Sequence, residues 1–270
     1  MSKATPVNPH NAIEAATFAL VLERSFNERE ALNFLQLEHS LKQELPSFSR
    51  TSDLLVKLEN DRFIEQINKP SGVILQRFNH HGKPEWILKA NKNTITTTCL
   101  SYSRWTSVWK QAREFLEASS RIIDHESNRL VAVALQLVDR FVHSDGVENY
   151  RLSDVFRPDS KFLPLQTSQA GALWHAYQGW FEEFHLNPEI HGKCLNVLNL
   201  STALKNNQLM TTIDHTIQFE FAELTGLPNM MVDGEGNPLQ KLFNLMHTLN
   251  QLALKELLNN EQLAAIGLET

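Results

Sequence analysis

Residues 103–123 read SRWTSVWKQAREFLEASSRII, and apolar side chains recur in this stretch every three or four positions. That spacing places them on one face of an α-helix. Ser103 is a residue type that can cap the first turn. The apolar face comprises Trp105, Val108, Trp109, Ala112, Phe115, Leu116, Ile122 and Ile123, with Ser119 between them. The sequence therefore predicts a long amphipathic helix that buries one side.

The chain before this helix predicts a strand, a second helix and then several short strands. Residues 13–22 form an apolar run typical of a buried strand. Asn27 can cap a helix that Pro46 ends. Four strand-like runs follow, separated by turn-rich pieces such as Lys69-Pro70-Ser71-Gly72, which favours antiparallel neighbours. These runs are residues 54–58, 73–78, 86–90 and 94–100.

The chain after the helix repeats this order of elements. A strand over residues 130–142 and a short helix at 152–156 are followed by three strands and a final helix. In the last strand, apolar Ile213, Ile217 and Phe219 alternate with polar residues, which predicts one packed and one wet face. The three strands are predicted at 173–184, 194–204 and 210–221, and the helix at 239–257.

Two halves with the same order predict an α+β fold built by internal duplication. We expect two tandem β-α-β(3-4)-α units, each an antiparallel sheet with long amphipathic helices packed on one face. The N-terminal half is residues 1–126 and the C-terminal half 127–270, together forming one compact unit. The boundary falls in the polar segment 124–128.

Composition excludes several classes of protein. The 270 residues are 42% hydrophobic, which argues against disorder, and their net charge of −6 argues against general nucleic-acid binding. Two cysteines fit a reducing compartment. Neither a signal peptide nor a membrane-spanning run is recognisable. We therefore predict a cytoplasmic protein with no membrane partner.

Metal binding is the first chemistry to consider, because His175, His185, His191 and Cys194 are metal-ligating residue types. His191 and Cys194 have a ligand-like spacing. The wider intervals fit no zinc pattern, and a second cysteine is missing. Trp174, Tyr177 and Trp180 near His175 suit a packed strand or an interface. We predict structural roles for all four and no metal or other cofactor.

The remaining titratable candidates also favour structural roles. His80-His81 precedes a Gly-Lys turn and is expected in solvent. His215 lies on the apolar face of its strand, as a hydrogen-bonded core histidine does. Asp139, Asp145 and Glu148 lie close together in the sequence and might suggest a carboxylate cluster beside Arg140. Asp139 and Arg140 point to opposite faces of a strand, so they cannot act together directly, and a structural salt bridge or an exposed pair is expected.

Motifs for nucleophilic or phosphate chemistry are not recognisable. Cys99 and Cys194 lie in apolar strand contexts, where thiols are inert. Gly234-x-Gly236 lacks the third glycine and the strand-to-helix context of a dinucleotide site. Trp86, Trp105 and Trp174 could stack on bases, but no basic stripe accompanies them. We assign no catalytic, cofactor-binding or metal residue, and the binding residues stay unknown.

Several short patterns resemble an uncharacterised bacterial family, the TIGR family of sporadically distributed proteins. The matching stretches are Ile13-Glu14-Ala15, Tyr102-Ser103-Arg104-Trp105, Arg140 in its strand, Phe243-Asn244-Leu245-Met246-His247 and Gly267. Residues 138–141 depart from the family's Arg-Tyr-x-Asn pattern. The resemblance singles out His247 beside the apolar stripe of the last helix, and it implies no activity or catalytic residue. It does suggest a phage-defence or toxin–antitoxin context.

These observations predict a binding or assembly protein that engages a protein partner or a second copy of itself and is not an enzyme. One alternative is a small-molecule or nucleotide-binding module, or an enzyme, with its site between a curved sheet and a long helix. A third is a nucleic-acid binder. A deep cavity with convergent polar groups favours the second, and a flat apolar sheet surface favours the first.

Overall fold

The computed structural model describes residues 4–59, 62–187, 190–231 and 237–268. Strands make up 45% of the chain and helices 28%. The strands are β1 Ala4–Pro6, β2 Ile13–Leu22, β3 Ser47–Glu59, β4 Arg62–Phe78, β5 Pro84–Asn91, β6 Thr94–Cys99, β7 Leu130–His143, β8 Trp174–Asn187, β9 Ile190–Lys205 and β10 Gln208–Thr225. The helices are α1 Glu28–Asn33, α2 Leu37–Ser40, α3 Trp105–Ser120, α4 Leu227–Met230, α5 Pro238–Leu257 and α6 Asn260–Ala265. Short 3₁₀ turns lie at Phe34–Gln36, Leu152–Asp154 and Leu165–Gln169.

All ten strands belong to one open, mostly antiparallel sheet. Its order is β3-β4-β5-β6-β2-β7-β10-β9-β8, and β1 also pairs with β7. The first strands of the two predicted halves, β2 and β7, are therefore neighbours in the middle of the sheet. Strands β3 and β8 form its two edges.

The predicted fold class is wrong. Two tandem units with long amphipathic helices packed on one face were expected, whereas the structure has one ten-stranded open sheet in which β2 pairs with β7. Among the described helices, only α3 and α5 exceed six residues. The molecule is thus mostly sheet.

The strands of residues 47–78 are longer than predicted. The predicted turn at residues 69–72 is wrong, because these residues continue β4, which has an extra residue, Ser71, opposite Thr51 and Ser52. Gly72 has φ +156° there, and a Cβ on it would lie 1.8 Å from the Ala90 carbonyl oxygen. The Pro- and Gly-containing residues 69–72 therefore bend β4 and do not end it.

The helix predicted from Asn27 to Pro46 is divided into α1, a 3₁₀ turn and α2. Asn27 does cap it, in a reciprocal capping box with Glu30. The chain then tightens at Phe34, whose ring packs 4.7 Å from that of Phe26. Phe34 and three leucines of this segment (Leu37, Leu41 and Leu45) are buried, so the apolar spacing was recognised but the bends were not.

Helix α3 confirms the prediction made from residues 103–123, although Arg104 and not Ser103 occupies the N-cap position. Its Trp109 and Trp105 rings both lie 5.6 Å from the ring of Phe18 on β2. Phe115 contacts the edge of Trp86 on β5. Aromatic side chains thus hold the helix against these strands.

Contacts divide the chain into two compact units. One consists of residues 1–16, 134–222 and 238–270, and the other of residues 17–133 and 223–237. In the first, the apolar side of α5 packs with strand residues, including Leu254 and Leu257 from the helix and Leu198 and Ile213 from the sheet. Each unit combines segments from different parts of the sequence. This division does not test the proposed boundary between residues 126 and 127, which stays a prediction.

None of the described helices has both the length and the apolar character that crossing a membrane requires.

Candidate functional site

A cavity of about 530 Å³ opens among β8, β9, α5 and the loop before β8. It is lined by Lys161 and Phe162 from the loop, Trp180 and Glu182 from β8, Asn196 from β9, and Leu249, Leu252, Ala253 and Glu256 from α5. This volume lies within the range of known small-molecule sites.

Strand register places the sheet residues of the cavity together. Trp180 and Glu182 are two positions apart on β8 and so share a face. Asn196 lies directly opposite Trp180 in the β8–β9 ladder. The four residues from α5 are spaced three, one and three positions apart, as on one helix side. Side-chain alternation in β8 and helical spacing in α5 therefore direct these residues to the same cavity.

An aromatic stack forms one wall. The Phe162 and Trp180 rings are stacked with their centres 5.0 Å apart, and Trp180 is stacked on His215 at 6.0 Å. The loop that carries Phe162 is fixed because Gln178 Nε2 donates a 2.6 Å hydrogen bond to the Phe162 carbonyl. The wall is therefore preorganised by contacts within the protein.

A chain of hydrogen bonds runs from the cavity into the core. Asn196 Nδ2 donates to Glu182 Oε2 at 3.1 Å, which leaves Asn196 Oδ1 to accept from His215 Nε2 at 3.2 Å. The other ring nitrogen, Nδ1, lies 3.0 Å from Oδ1 of Asn250 on α5. A neutral imidazole has a single N–H, so it donates to only one of these two amide oxygens at a time.

Burial lowers the pKa of His215 to about 4, and the Asn250 oxygen, which accepts from the protonated ring, opposes this shift. The ring is therefore neutral at pH 7 and serves as an anchor for Asn196. Asn196 is itself 1% exposed. The chain thus holds the Glu182 carboxylate in one orientation at the edge of the cavity.

Comparisons with protein-family models, with curated proteins and with solved structures found no match for this chain. Its site is interpreted from its own geometry.

The outer side of β8 presents a second surface. The odd-numbered side chains of β8 face away from the cavity, and Tyr177 and Phe181 are 67% and 63% exposed. Leu195 and Val197 lie opposite Phe181 and Gly179 on β9, and both are only half-buried. Among the described strands, β9 alone pairs with β8. An edge strand with exposed aromatic residues is a binding surface in principle.

The four metal candidates do not form one site. His185 and His191 are cross-strand partners with stacked rings 6.0 Å apart. Cys194 has the opposite parity to His191 on β9 and is buried, and His175 is ten residues along β8 from His185. Throughout the described residues, no three His, Cys, Asp or Glu side chains are grouped as metal ligands would be.

The histidine pair does line a pocket of about 250 Å³ together with Glu183, Lys193 and Glu220. His185 is exposed and His191 half-buried. We assign this pocket no role.

Asp139 and Arg140 point to opposite faces, as the strand pattern predicts. Arg140 forms an ion pair with Glu14 of β2, while Asp139 is buried and its Oδ2 has no hydrogen-bond partner in the described structure. Burial raises the pKa of Asp139 to about 7. Asp145 and Glu148 are exposed in the following loop, so no carboxylate cluster forms.

The other histidine candidates are separated from the cavity. His80 and His81 are exposed in a turn that Asn79 organises by accepting hydrogen bonds from the backbone of His81 and Lys83. His247 is half-buried on α5, and burial lowers its pKa to about 4.

Both cysteines are buried, and burial raises the pKa of Cys99 to about 11 and that of Cys194 to about 12. Each stays a thiol at neutral pH. None of the three candidate stacking tryptophans is fully exposed: Trp86 is buried, Trp105 packs on Phe18, and Trp174 Nε1 donates to Tyr150 at 2.7 Å. Gly234 and Gly236 lie outside the described residues.

A second buried network was not predicted. His143 Nε2 bonds Thr211 at 2.8 Å, and Thr211 bonds Thr202 at 2.9 Å. Tyr150 lies 3.5 Å from Thr202. Burial raises the pKa of Tyr150 and lowers that of His143, so both are neutral at pH 7. These hydrogen bonds link the four side chains, while His143 Nδ1 has no hydrogen-bond partner in the described structure.

Sequence reasoning missed Glu182 and Asn196 and treated Trp180 only as a packing residue. Because Trp180 and Glu182 are two positions apart, the sequence could have predicted that they lie on one face of the strand. Nothing in the sequence brings Asn196, Phe162 and Glu256 to the same space, because their proximity depends on the β8–β9 register and on the position of α5.

Proposed function

We propose that this chain is a non-enzymatic cytoplasmic assembly protein that binds a second copy of itself through antiparallel pairing of β8 with β8. The observation that carries the proposal is the uninterrupted edge strand with Tyr177 and Phe181 placed symmetrically about Gly179. Trp174 to His185 pair with β9 in continuous register, which leaves a straight outer edge.

The two sheet edges differ in their protection against pairing. The ladder between β3 and β4 shifts register at Thr51/Ser52 and Lys57/Leu58, where β4 has the extra residue, and the sequence of β3 contains Arg50 and Lys57. Bulges and basic residues are the usual devices that prevent edge pairing. Residues 174–185 of β8 contain no Lys, Arg or Pro. The β8 edge is therefore suited to a partner strand.

The sequence of β8 is complementary to itself. When Gly179 of two antiparallel strands face each other, residues equally distant from Gly179 become cross-strand partners. Tyr177 then meets Phe181 of the second copy, and His175 meets Glu183 of the second copy. Aromatic pairs and opposite-charge pairs each contribute about 0.2–1 kcal/mol across strands. A two-fold axis at Gly179 uses every pair twice.

The experiment measures mass against concentration by sedimentation equilibrium for the full chain and for Phe181→Lys. We expect a dimer for the wild-type chain and at least about tenfold weaker association for the variant. Leu32→Lys is the matched control, because Leu32 is an exposed apolar residue on α1. A monomer at every concentration, or equal association of Phe181→Lys and wild type, contradicts the proposal.

The cellular context is a further part of this proposal. A role in phage defence or a toxin–antitoxin pair rests on the resemblance to the sporadically distributed bacterial family alone. Self-association through β8 is independent of that resemblance.

A further inference from the structure

We propose that the cavity beside Trp180 binds a small organic cation, an ammonium or guanidinium group attached to an apolar body. This site lies on the opposite face of β8 from Tyr177 and Phe181, and the inference does not depend on dimer formation.

The charges of the cavity favour a cation. Glu182 and Glu256 contribute two carboxylates against the single ammonium of Lys161. Among the described residues, neither carboxylate has a cationic side chain within ion-pair distance. Arg157, which feels the charge of Glu256, pairs with Asp159 instead. Two carboxylates at one cavity are therefore available to an incoming cation.

The walls supply the remaining contacts. Lys161 Nζ lies 5.2 Å from the centre of the Phe162 ring, so this aromatic surface already accommodates a cation. Leu252, which is 57% exposed, and Ala253 form an apolar surface on the α5 side. A ligand with a charged end and an apolar body matches both.

Hydrogen bonds within the protein hold Glu182 at the cavity, which distinguishes the cavity from a surface patch of unconnected acidic residues. Asn196 is almost fully buried and donates to Glu182, and His215 holds Asn196 from behind. One oxygen of the exposed carboxylate is therefore already held by the protein, which lowers the entropic cost of binding a ligand.

Calorimetric titration of the full chain with tryptamine tests the charge requirement. Tryptophol has the same indole and a hydroxyl in place of the ammonium, so it is the matched neutral probe. We expect tryptamine to bind at least about tenfold more tightly than tryptophol. Equal affinity for the two, or no measurable binding of tryptamine, overturns the proposal.

Glu182→Gln locates the binding site. We expect it to weaken tryptamine binding about tenfold. Glu148→Gln, which makes the same change in the exposed loop after β7, leaves binding unaltered. Because Glu182→Gln also alters the bond to Asn196, Glu256→Gln on α5 is the second variant and should weaken binding while the melting temperature stays constant. Unchanged affinity in both cavity variants rules the site out.

Discussion

Tyr177 and Phe181 lie on the same face of β8, two positions on either side of Gly179, and both are largely exposed. Any antiparallel pairing centred on Gly179 brings each of them opposite the other from the second copy. The same symmetry relates His175 and Glu183, which gives the register of the proposed dimer a test based on charge.

His175→Glu should disrupt the dimer, and adding Glu183→Lys should restore it. His175→Glu places a carboxylate opposite Glu183 of the second copy, and like charges directly opposite are destabilising. We expect association to weaken about tenfold in sedimentation equilibrium. Adding Glu183→Lys recreates opposite charges and should recover the wild-type constant. If the double variant associates no better than His175→Glu, the strands pair in another register.

Asp139 should make the protein less stable at alkaline than at acidic pH. Its pKa is raised by burial to about 7 in the folded state, against about 3.9 in the unfolded chain. The carboxyl is protonated in both states below pH 4, so its cost appears as the pH rises from 4 to 7. It reaches on the order of 4 kcal/mol above pH 7.

Asp139→Asn should therefore raise the free energy of unfolding at pH 8 and change it little at pH 4. Chemical denaturation at the two pH values measures the difference. Asp145→Asn, in the exposed loop after β7, is the control. A variant that is equally or less stable than wild type at pH 8 would show that Asp139 has a stabilising partner in the folded protein.

How much of the fold the sequence predicts depends on whether the deciding contacts are local or between residues far apart in the chain. Periodicity located α3, α5 and β7 well, because each is specified by its own apolar face. The order of strands in the sheet was not predicted, since pairing of β2 with β7 is a choice between strand edges that are more than a hundred residues apart. Apolar content is the same for either choice.

The candidate site shows the same limit. The buried, hydrogen-bonded state of His215 was predicted from its place on the apolar face of β10, and this prediction is confirmed by its bonds to Asn196 and Asn250. Its partners could not be predicted, because one comes from the neighbouring strand and the other from α5. Residue type and position along the strand identify which side chains are buried. Strand register and helix position decide which side chains they contact.

His215 should reduce stability in acid. Its pKa is about 4 when folded and about 6.5 when unfolded, so the unfolded chain binds more protons between these values. Stability is complete above pH 6.5 and is lost as the pH falls to 4, by about 3 kcal/mol. His247 contributes in the same direction, since its pKa is also lowered to about 4.

His215→Gln keeps a hydrogen-bonding side chain that does not titrate. We expect its unfolding free energy to fall less steeply than that of wild type between pH 6.5 and 4. His80→Gln, in an exposed turn, should leave the slope unchanged. Equal slopes for His215→Gln and wild type would mean that the imidazole is as easily protonated in the fold as in the unfolded chain.

Glu30 should be important for stability because it joins α1 to the segment 124–128. It is 2% exposed, and its carboxylate accepts from the backbone of Asn27 and Asp124 and from the guanidinium of Arg24. Glu30→Gln leaves only one acceptor oxygen and removes the ion pair. With Arg24 a third exposed, we expect a loss of about 2 kcal/mol in denaturant unfolding.

Glu28→Gln is the control for that variant. Glu28 lies in the same first turn but is exposed, and its effect should be limited to the helix dipole, about 0.5 kcal/mol. If the two variants lose equal stability, the bonds of Glu30 to Asp124 and Arg24 contribute nothing beyond its position at the helix start.

Gly192 should be essential for the approach of β9 to β10. A Cβ at this position would lie 2.0 Å from the backbone oxygen of Glu220 and 3.1 Å from the Phe219 ring. Neither the strand backbone nor a fully buried ring can yield without disturbing the β9–β10 ladder. We expect Gly192→Ala to cost about 1–3 kcal/mol, as overpacking does. Thermal unfolding compares it with Gly171→Ala, where a Cβ meets no atom within 4 Å. Equal melting temperatures for the two variants would mean that the ladder separates at Gly192 without loss.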